Sequence, residues 1–570
     1  MLISRFNPRR FLPDTIDLTD TVQLTPVFDQ LSAKLDAVAS VADLEAWLSD
    51  HSEVCAALAE SSSLTYIAMT CQTDDEAKEK AYMHIVEVVD PWLKPRQFAL
   101  MQKLTQSPFF AQLPEFYAVY RRSVETQVKL YREENVARET AVAKLTQQYQ
   151  KLSGAMTVQF DGKEQTLSRM GRIQEEPDRA RREAAWKTVV ERRQQDADKF
   201  DDIFDQLLVI RNEIAQAAGF PDFRAYTFAN YERFDYTPED CLHFHDAVEH
   251  HIVPLVRELQ RERKAKLGVD TLRPWDLGVD PDHNPPLRPF EASADLLEKS
   301  HKIFSALDSR LGNYYQLLCE QELVDLDNRK GKAPGGYQST LSEARVPFIF
   351  MNAVGVHRDV ETMLHEAGHA FHALASREQA LHAYRSAPIE FCEVASMGME
   401  LLAAPFLRMF YSDADAKRAQ RDHLEGIIKI FPWIVTVDAF QHWIYTHPGH
   451  TREERKNFWL SLMDRFGGIE DWTGFESARA NVWHRQLHIF EIPFYYVEYG
   501  IAQLGALQLW QAARRDLPAT LDNYLKGLSL GGSRPLPELF QTSGLAFDFT
   551  DKTIAPLMRN VKDALLELTS

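Results

Sequence analysis

At 570 residues, with 45% hydrophobic and 26% charged, the chain can form several domains or one large two-lobed helical body, and its composition is that of a folded globular protein. A formal net charge of −19 argues against a nucleic-acid partner, because phosphate binding is carried by clustered Lys and Arg. The cysteines (Cys55, Cys71, Cys241, Cys319, Cys392) are odd in number, far apart and without a CxxC pair, which points away from a disulfide framework and from a thiolate zinc site.

Near the N-terminus, Arg9-Arg10-Phe11-Leu12 resembles the core of a twin-arginine export signal. Pro13-Asp14-Thr15 and mixed polar sequence follow instead of an apolar run, so a cytoplasmic protein is expected. No stretch approaches 18 consecutive apolar residues, and no membrane span is expected. Between 112 and 150, Phe116, Tyr120, Val124, Val128 and Tyr131 recur at three- and four-residue steps, as on one buried helix face, and Gly154 ends the stretch. Met156, Val158 and Phe160 then alternate up to Asp161-Gly162, a turn signal for a short β-hairpin. From Pro177, placed as in a first helical turn, a charged helical region runs to about Gly219, its Arg and Glu residues read as a solvated face. Pro274 to Pro289 is too rich in Pro for a long helix and reads as a linker or structured surface excursion. A glycine-containing stretch, Lys330 to Tyr337, leads into Val346-Pro347-Phe348-Ile349-Phe350-Met351-Asn352, a buried or edge strand.

After this strand comes Glu361-Thr362-Met363-Leu364-His365-Glu366-Ala367-Gly368-His369. Val360, Leu364, Ala367, Phe371 and Leu374 have helical spacing, so His365 and His369 sit one turn apart on one helix face. Two imidazoles so placed can bind one zinc, and Glu366 lies to the side of the metal, where a base takes a proton from water. The alternative is a pair of histidines on an amphipathic helix with no metal. A catalytic zinc needs a third protein ligand, and Pro388 to Glu400 offers Glu390, Glu393 and Glu400 among Phe391, Val394 and Met397. We prefer Glu393 as the ligand, with Glu390 or Glu400 orienting a histidine.

These residues resemble the oligoendopeptidase F branch of the thimet oligopeptidase family of zinc metallopeptidases. The likeness covers roughly the C-terminal two-thirds of the chain. It is carried by the Lys332–Tyr337 loop with the Phe348–Asn352 strand, by the His365–His372 helix, by Phe391–Ser396, and by His488-Ile489-Phe490-Glu491-Ile492-Pro493-Phe494-Tyr495-Tyr496-Val497-Glu498-Tyr499-Gly500. The resemblance implies His365, His369 and Glu393 as ligands of one Zn²⁺ per chain and Glu366 as general base. It further implies His488 and Tyr499 as donors to the developing oxyanion, with Tyr496 assisting; a His N–H and a Tyr hydroxyl can both donate there.

Cys241, His243, His245, His250 and His251 also gather metal-binding residue types, but helical spacing scatters them around the axis and no second metal site is expected. His447 and His450 flank Pro448-Gly449 in a loop. The expected fold is mainly α: a two-lobed helical zincin-type metallopeptidase with a small β-sheet beside the zinc helix and a deep substrate channel. Residues 1–175 would form an N-terminal helical region with a short hairpin and 176–570 the catalytic region. The expected activity is zinc-dependent hydrolysis of internal bonds in short unstructured peptides, without nucleic-acid or membrane partners. A zinc metallocarboxypeptidase and a catalytically silent peptide-binding protein are the alternatives.

Overall fold

The computed structural model describes residues 4–569. It is 69% helix and 4% strand, a two-lobed, mainly α fold in which helices build the cores and the strands are local devices.

Two large apolar cores organise the described residues. The smaller lies among the helices Thr21–Asp36, Val41–Cys71, Asp90–Gln106 and Ala118–Leu130, and includes Leu24, Phe28, Leu31, Trp47, Leu48 and Leu104. The first two helices start on side-chain caps: Asp20 accepts from Val22 N and Ser40 from Asp43 N, which satisfies otherwise unpaired N–H groups. This core is stitched to the rest of the chain by Leu381 and Tyr384, and the Tyr384 hydroxyl donates to Phe116 O at 2.8 Å. Helix Val41–Cys71 is long and apolar enough to cross a membrane by length and composition, although scattered polar residues break its apolar runs. Here its Leu44, Trp47, Leu48, Val54 and Ala57 are buried in the small core, while Leu64 and Tyr66 are exposed.

The 112–150 stretch is not one helix. Ala118–Leu130 and Glu133–Gly154 are separate, and Tyr131 and Arg132 between them are extended. The Arg132 guanidinium donates to the carbonyls of Ala217 and Ala218 at the end of another helix, and Tyr131 stacks on Phe98, so tertiary partners override the local periodicity. Of the proposed face, Val124 is buried and Phe116 is exposed. The hairpin forms as expected: β1 (Thr157–Phe160) pairs antiparallel with β2 (Lys163–Thr166) across Asp161 and Gly162, both at positive φ.

The region after Pro177 divides into Arg179–Gln194, capped by Asp178, and Ala197–Ala217. Its charged residues are not all solvated. Arg182 and Arg211 are each 1% exposed, because Arg182 pairs with buried Asp276 and Arg211 reaches the carbonyls of Ile489 and Phe490. That pairing also anchors the Pro-rich stretch, whose Pro274–Asp276 turn carries Asp276 inward.

Beside the site, β3 (Val324–Asp327), β4 (Tyr337–Leu341) and β5 (Val346–Ala353) form a sheet in the order β3-β5-β4. β5 is central, parallel to β3 and antiparallel to β4, and buried from Val346 to Met351, which explains its continuous apolar run.

Candidate metal centre and catalytic site

Helix His357–Ser376 follows β5 directly, and the Asp359 carboxylate accepts from the N–H groups of Val354 and Val356 to hold its entry. It packs against helix Ile389–Ala403 at a separation set by Gly368, where an added Cβ would lie 2.6 Å from Ala395 O and Ser396 Cα. This close approach brings the two chemical faces together.

His365 Nε2 lies 3.4 Å and His369 Nε2 3.8 Å from Glu393 Oε2. Donor atoms at about 2.1 Å from a tetrahedral zinc stand about 3.4 Å from one another, so the three residues fit one such ion. The donor set, two neutral imidazoles and one carboxylate, suits zinc and leaves a fourth position open. His365 donates from Nδ1 to Glu400 Oε1 at 2.7 Å, which leaves the Nε2 lone pair facing Glu393 and the metal position. Glu400 is therefore the carboxylate that orients a histidine; Glu390 instead accepts from the Tyr236 hydroxyl at 2.7 Å. His423 extends this support, with Nε2 3.6 Å from Glu400 and Nδ1 3.3 Å from Glu361.

Electrostatics follow from placing these groups in a half-closed, low-dielectric site. Burial lowers the His365 pKa, but Glu400, Glu393 and Glu366 outweigh it and hold the metal-free imidazole at about 9. Burial and the neighbouring His365 push His369 well below its ordinary value. Burial raises Glu393, and raises Glu366 to about 7. Glu366 sits under β4, with the Gln338 backbone N–H turned to it, and together with His365 and Glu400 it lines a cavity of about 430 Å³ walled by Gly335, Gly336, Asn352 and Thr362. The Asn352 amide donates to Ala333 O and Gly335 O, fixing the glycine loop as that wall.

His488 to Tyr499 is irregular: a short helix Leu487–Glu491, a turn, and the start of helix Val497–Ala513. Phe494 in that turn has φ +66°, a left-handed conformation that costs a residue with a side chain about 1 kcal/mol or more. Side chains remote in sequence hold it there. Gln441 accepts from Phe494 N at 2.8 Å, and buried Arg233 donates to Phe494 O at 2.6 Å and to Glu498 at 2.7 Å. Arg211 takes the Ile489 and Phe490 carbonyls.

The segment gathers His488, Tyr495, Tyr496 and Tyr499 in mutual ring contact. Burial raises Tyr499 to about 12, and the charge of Glu393 is the next cause. Tyr495 also feels Glu393 and meets Tyr499 edge to face at 5.5 Å. Burial raises Tyr496 too, but its hydroxyl lies against Trp433 and Gln486 instead. Burial lowers His488 to about 4, so its ring is neutral at pH 7.

The second histidine cluster takes an unexpected form. Helix Pro238–His251 turns Cys241 and His245 inward against Asp438 and His442 of helix Asp413–Thr446, and all four are buried. Cys241, Asp438 and His442 are close enough to share an ion. Their bonds, however, are those of a helix-to-helix link: His245 Nε2 lies 2.8 Å from Asp438 Oδ2, and the Arg224 guanidinium lies 3.5 Å from His442 Nδ1. A metal on His442 Nε2 would leave Nδ1–H facing that N–H donor, so this group suits a metal less well than His365, His369 and Glu393.

A helical body with a His-Glu-x-x-His helix and an apposed carboxylate helix defines a zincin-type metallopeptidase. The profile of peptidase family M3 matches residues 172–558, and that of the peptidase M3 N-terminal domain matches residues 13–131; the chain belongs to family M3. It superposes on a PZ peptidase A solved with an inhibitor at a TM-score of 0.87 and 30% identity, over 98% of this chain and 99% of that one. A putative oligoendopeptidase F from Bacillus anthracis superposes at 0.83 and 26% identity, over 97% and 98%. The group B oligopeptidase PepB of Streptococcus agalactiae is 23% identical over 296 residues, 50% of this chain, so the chain matches about half (47%) of that relative's length.

Proposed function

We propose that the protein is a zinc-dependent metalloendopeptidase that hydrolyses internal bonds of short, unstructured peptides. The observation that carries this is the convergence of His365, His369 and Glu393 on one point, with Glu366 beside it in an open cavity. His365, His369 and Glu393 would hold one Zn²⁺, which when bound would supply Lewis-acid polarisation of the scissile carbonyl and acidification of water. Glu366 takes the proton of the attacking water and hands it to the departing amine; a carboxyl poised near neutral pH can do both. Tyr499 and His488 donate to the carbonyl oxygen as it gains charge, and Tyr496 assists by holding the segment rather than by reaching the substrate. Membership of family M3 and likeness to oligoendopeptidase F proteins support the same reading. We place residues 1–175 as the N-terminal region and 176–570 as the catalytic region, and place the protein in the cytoplasm, where its five free cysteines would remain reduced.

The test is digestion of a peptide blocked at both ends by the zinc-loaded enzyme, read by mass spectrometry. Internal cleavage is expected. A carboxypeptidase would leave that peptide intact yet trim an unblocked one, and a silent peptide-binding protein would cut neither.

A further inference from the structure

We infer that Gln486 and Trp433 are positioning residues that lock His488 in the tautomer carrying its hydrogen on Nε2. The inference rests on His488 being an oxyanion donor, and it explains how a neutral imidazole is made to donate there.

A neutral imidazole carries one N–H, on either nitrogen, and the neighbours decide which. Gln486 Nε2 lies 2.6 Å from His488 Nδ1. That contact alone is ambiguous, because an amide turned over would present oxygen and demand a hydrogen on Nδ1. The far end of the amide removes the ambiguity. Gln486 Oε1 accepts from the Trp433 indole N–H at 2.9 Å, and an indole nitrogen only donates. The oxygen must therefore face Trp433, the NH₂ must face His488, and Nδ1 must present its lone pair. The remaining hydrogen sits on Nε2, for which no hydrogen-bond partner is found among the described residues.

The anchor is rigid. Trp433 belongs to helix Asp413–Thr446, lies edge-on against buried Trp459 at 5.7 Å, and carries the Arg485 guanidinium over its ring at 5.4 Å. The Gln486 side chain is held at both ends of its amide, by the Trp433 indole and by His488 Nδ1, and its backbone N–H is tied to Trp483 O at 3.0 Å. The Tyr496 hydroxyl lies against the same two side chains, which gives this tyrosine a place in the relay.

Gln486→Glu reverses the relay, since a carboxylate only accepts and draws the hydrogen to Nδ1. In the zinc-loaded enzyme we expect kcat to fall about 10²-fold at pH 8, the scale of one lost oxyanion donor, with KM within about threefold and zinc content unchanged. Gln486→Met, which pairs with neither nitrogen, should give a smaller loss. The discriminating measurement is the double variant: added to His488→Ala, Gln486→Glu should cost nothing further, because both remove the same donation. ¹⁵N spectra of histidine-labelled enzyme should show Nε2–H at His488 in the native protein and Nδ1–H in Gln486→Glu. Multiplying losses in the double variant, or Nδ1–H in the native enzyme, would overturn the inference. A fully active His488→Ala would instead overturn the donor role beneath it.

Discussion

The candidate metal centre and the His488–Tyr499 segment are built in opposite ways. His365, Glu366 and His369 are set by the pitch of one helix, and Glu393 and Glu400 by that of another. His488 to Tyr499 has no such ruler. Its shape is imposed by Arg211, Arg233, Trp433 and Gln441, which lie far from it in sequence, and it includes a residue held at positive φ. Helical pitch fixes metal ligands to within a fraction of an ångström at little cost. An irregular segment can place several donors at unrelated angles, but only if buried partners hold it.

The comparison is broken most severely at Glu366. Glu366→Gln removes the base while leaving the ligand helix intact, so kcat should drop by about 10²–10⁴-fold with zinc retained, as steady-state kinetics and elemental analysis would show. In the His488–Tyr499 segment, Tyr499→Phe should lower kcat by about 10²–10³-fold with little change in KM, because the hydroxyl is needed chiefly once the oxygen carries charge. Unchanged kcat would assign Tyr499 to packing and bring its ring neighbour Tyr495 forward. Glu400→Ala frees His365 to turn, and zinc affinity measured by competition with a chelator should weaken by about 10- to 100-fold. Glu393→Ala, which deletes a ligand, should weaken it more.

The smallest effect is a proton count. In the metal-free protein His365 is held at about 9, so at pH 7 it is protonated, and zinc must displace that proton. Glu366, at about 7, is half protonated there and adds a fraction when a nearby cation ionises it. Calorimetry in buffers of different ionisation enthalpy should show release of about one proton or somewhat more at pH 7. The number should fall as pH rises through 9, above which both groups are already deprotonated. Release that does not change with pH would mean that His365 is neutral before zinc arrives.

The hairpin, the central strand and the metal helix were legible because each is local: alternation up to Asp161-Gly162, a continuous apolar run, and two histidines one turn apart. The break at Tyr131-Arg132 was not, since Arg132 is drawn to carbonyls on another helix. Nor was the burial of Arg182 and Arg211, because a guanidinium reads as solvated until its partner is known. Among the three carboxylates of Pro388 to Glu400, spacing narrowed the ligand without assigning the supports. Only the packing at Gly368 turned Glu400 to His365 and left Glu390 with Tyr236.

By itself, then, the sequence determined the helical class and put His365, Glu366 and His369 on one helix, since these depend on periodicities of a few residues that any helix enforces. Tertiary structure alone decided that Tyr495 and Tyr499 both feel Glu393, that the Gln486 amide meets His488, and that the inward Cys241 and His245 meet Asp438 and His442. Those choices rest on hydrogen bonds and buried charges between elements remote in the chain. Burial makes such partners obligatory, and no local pattern announces them.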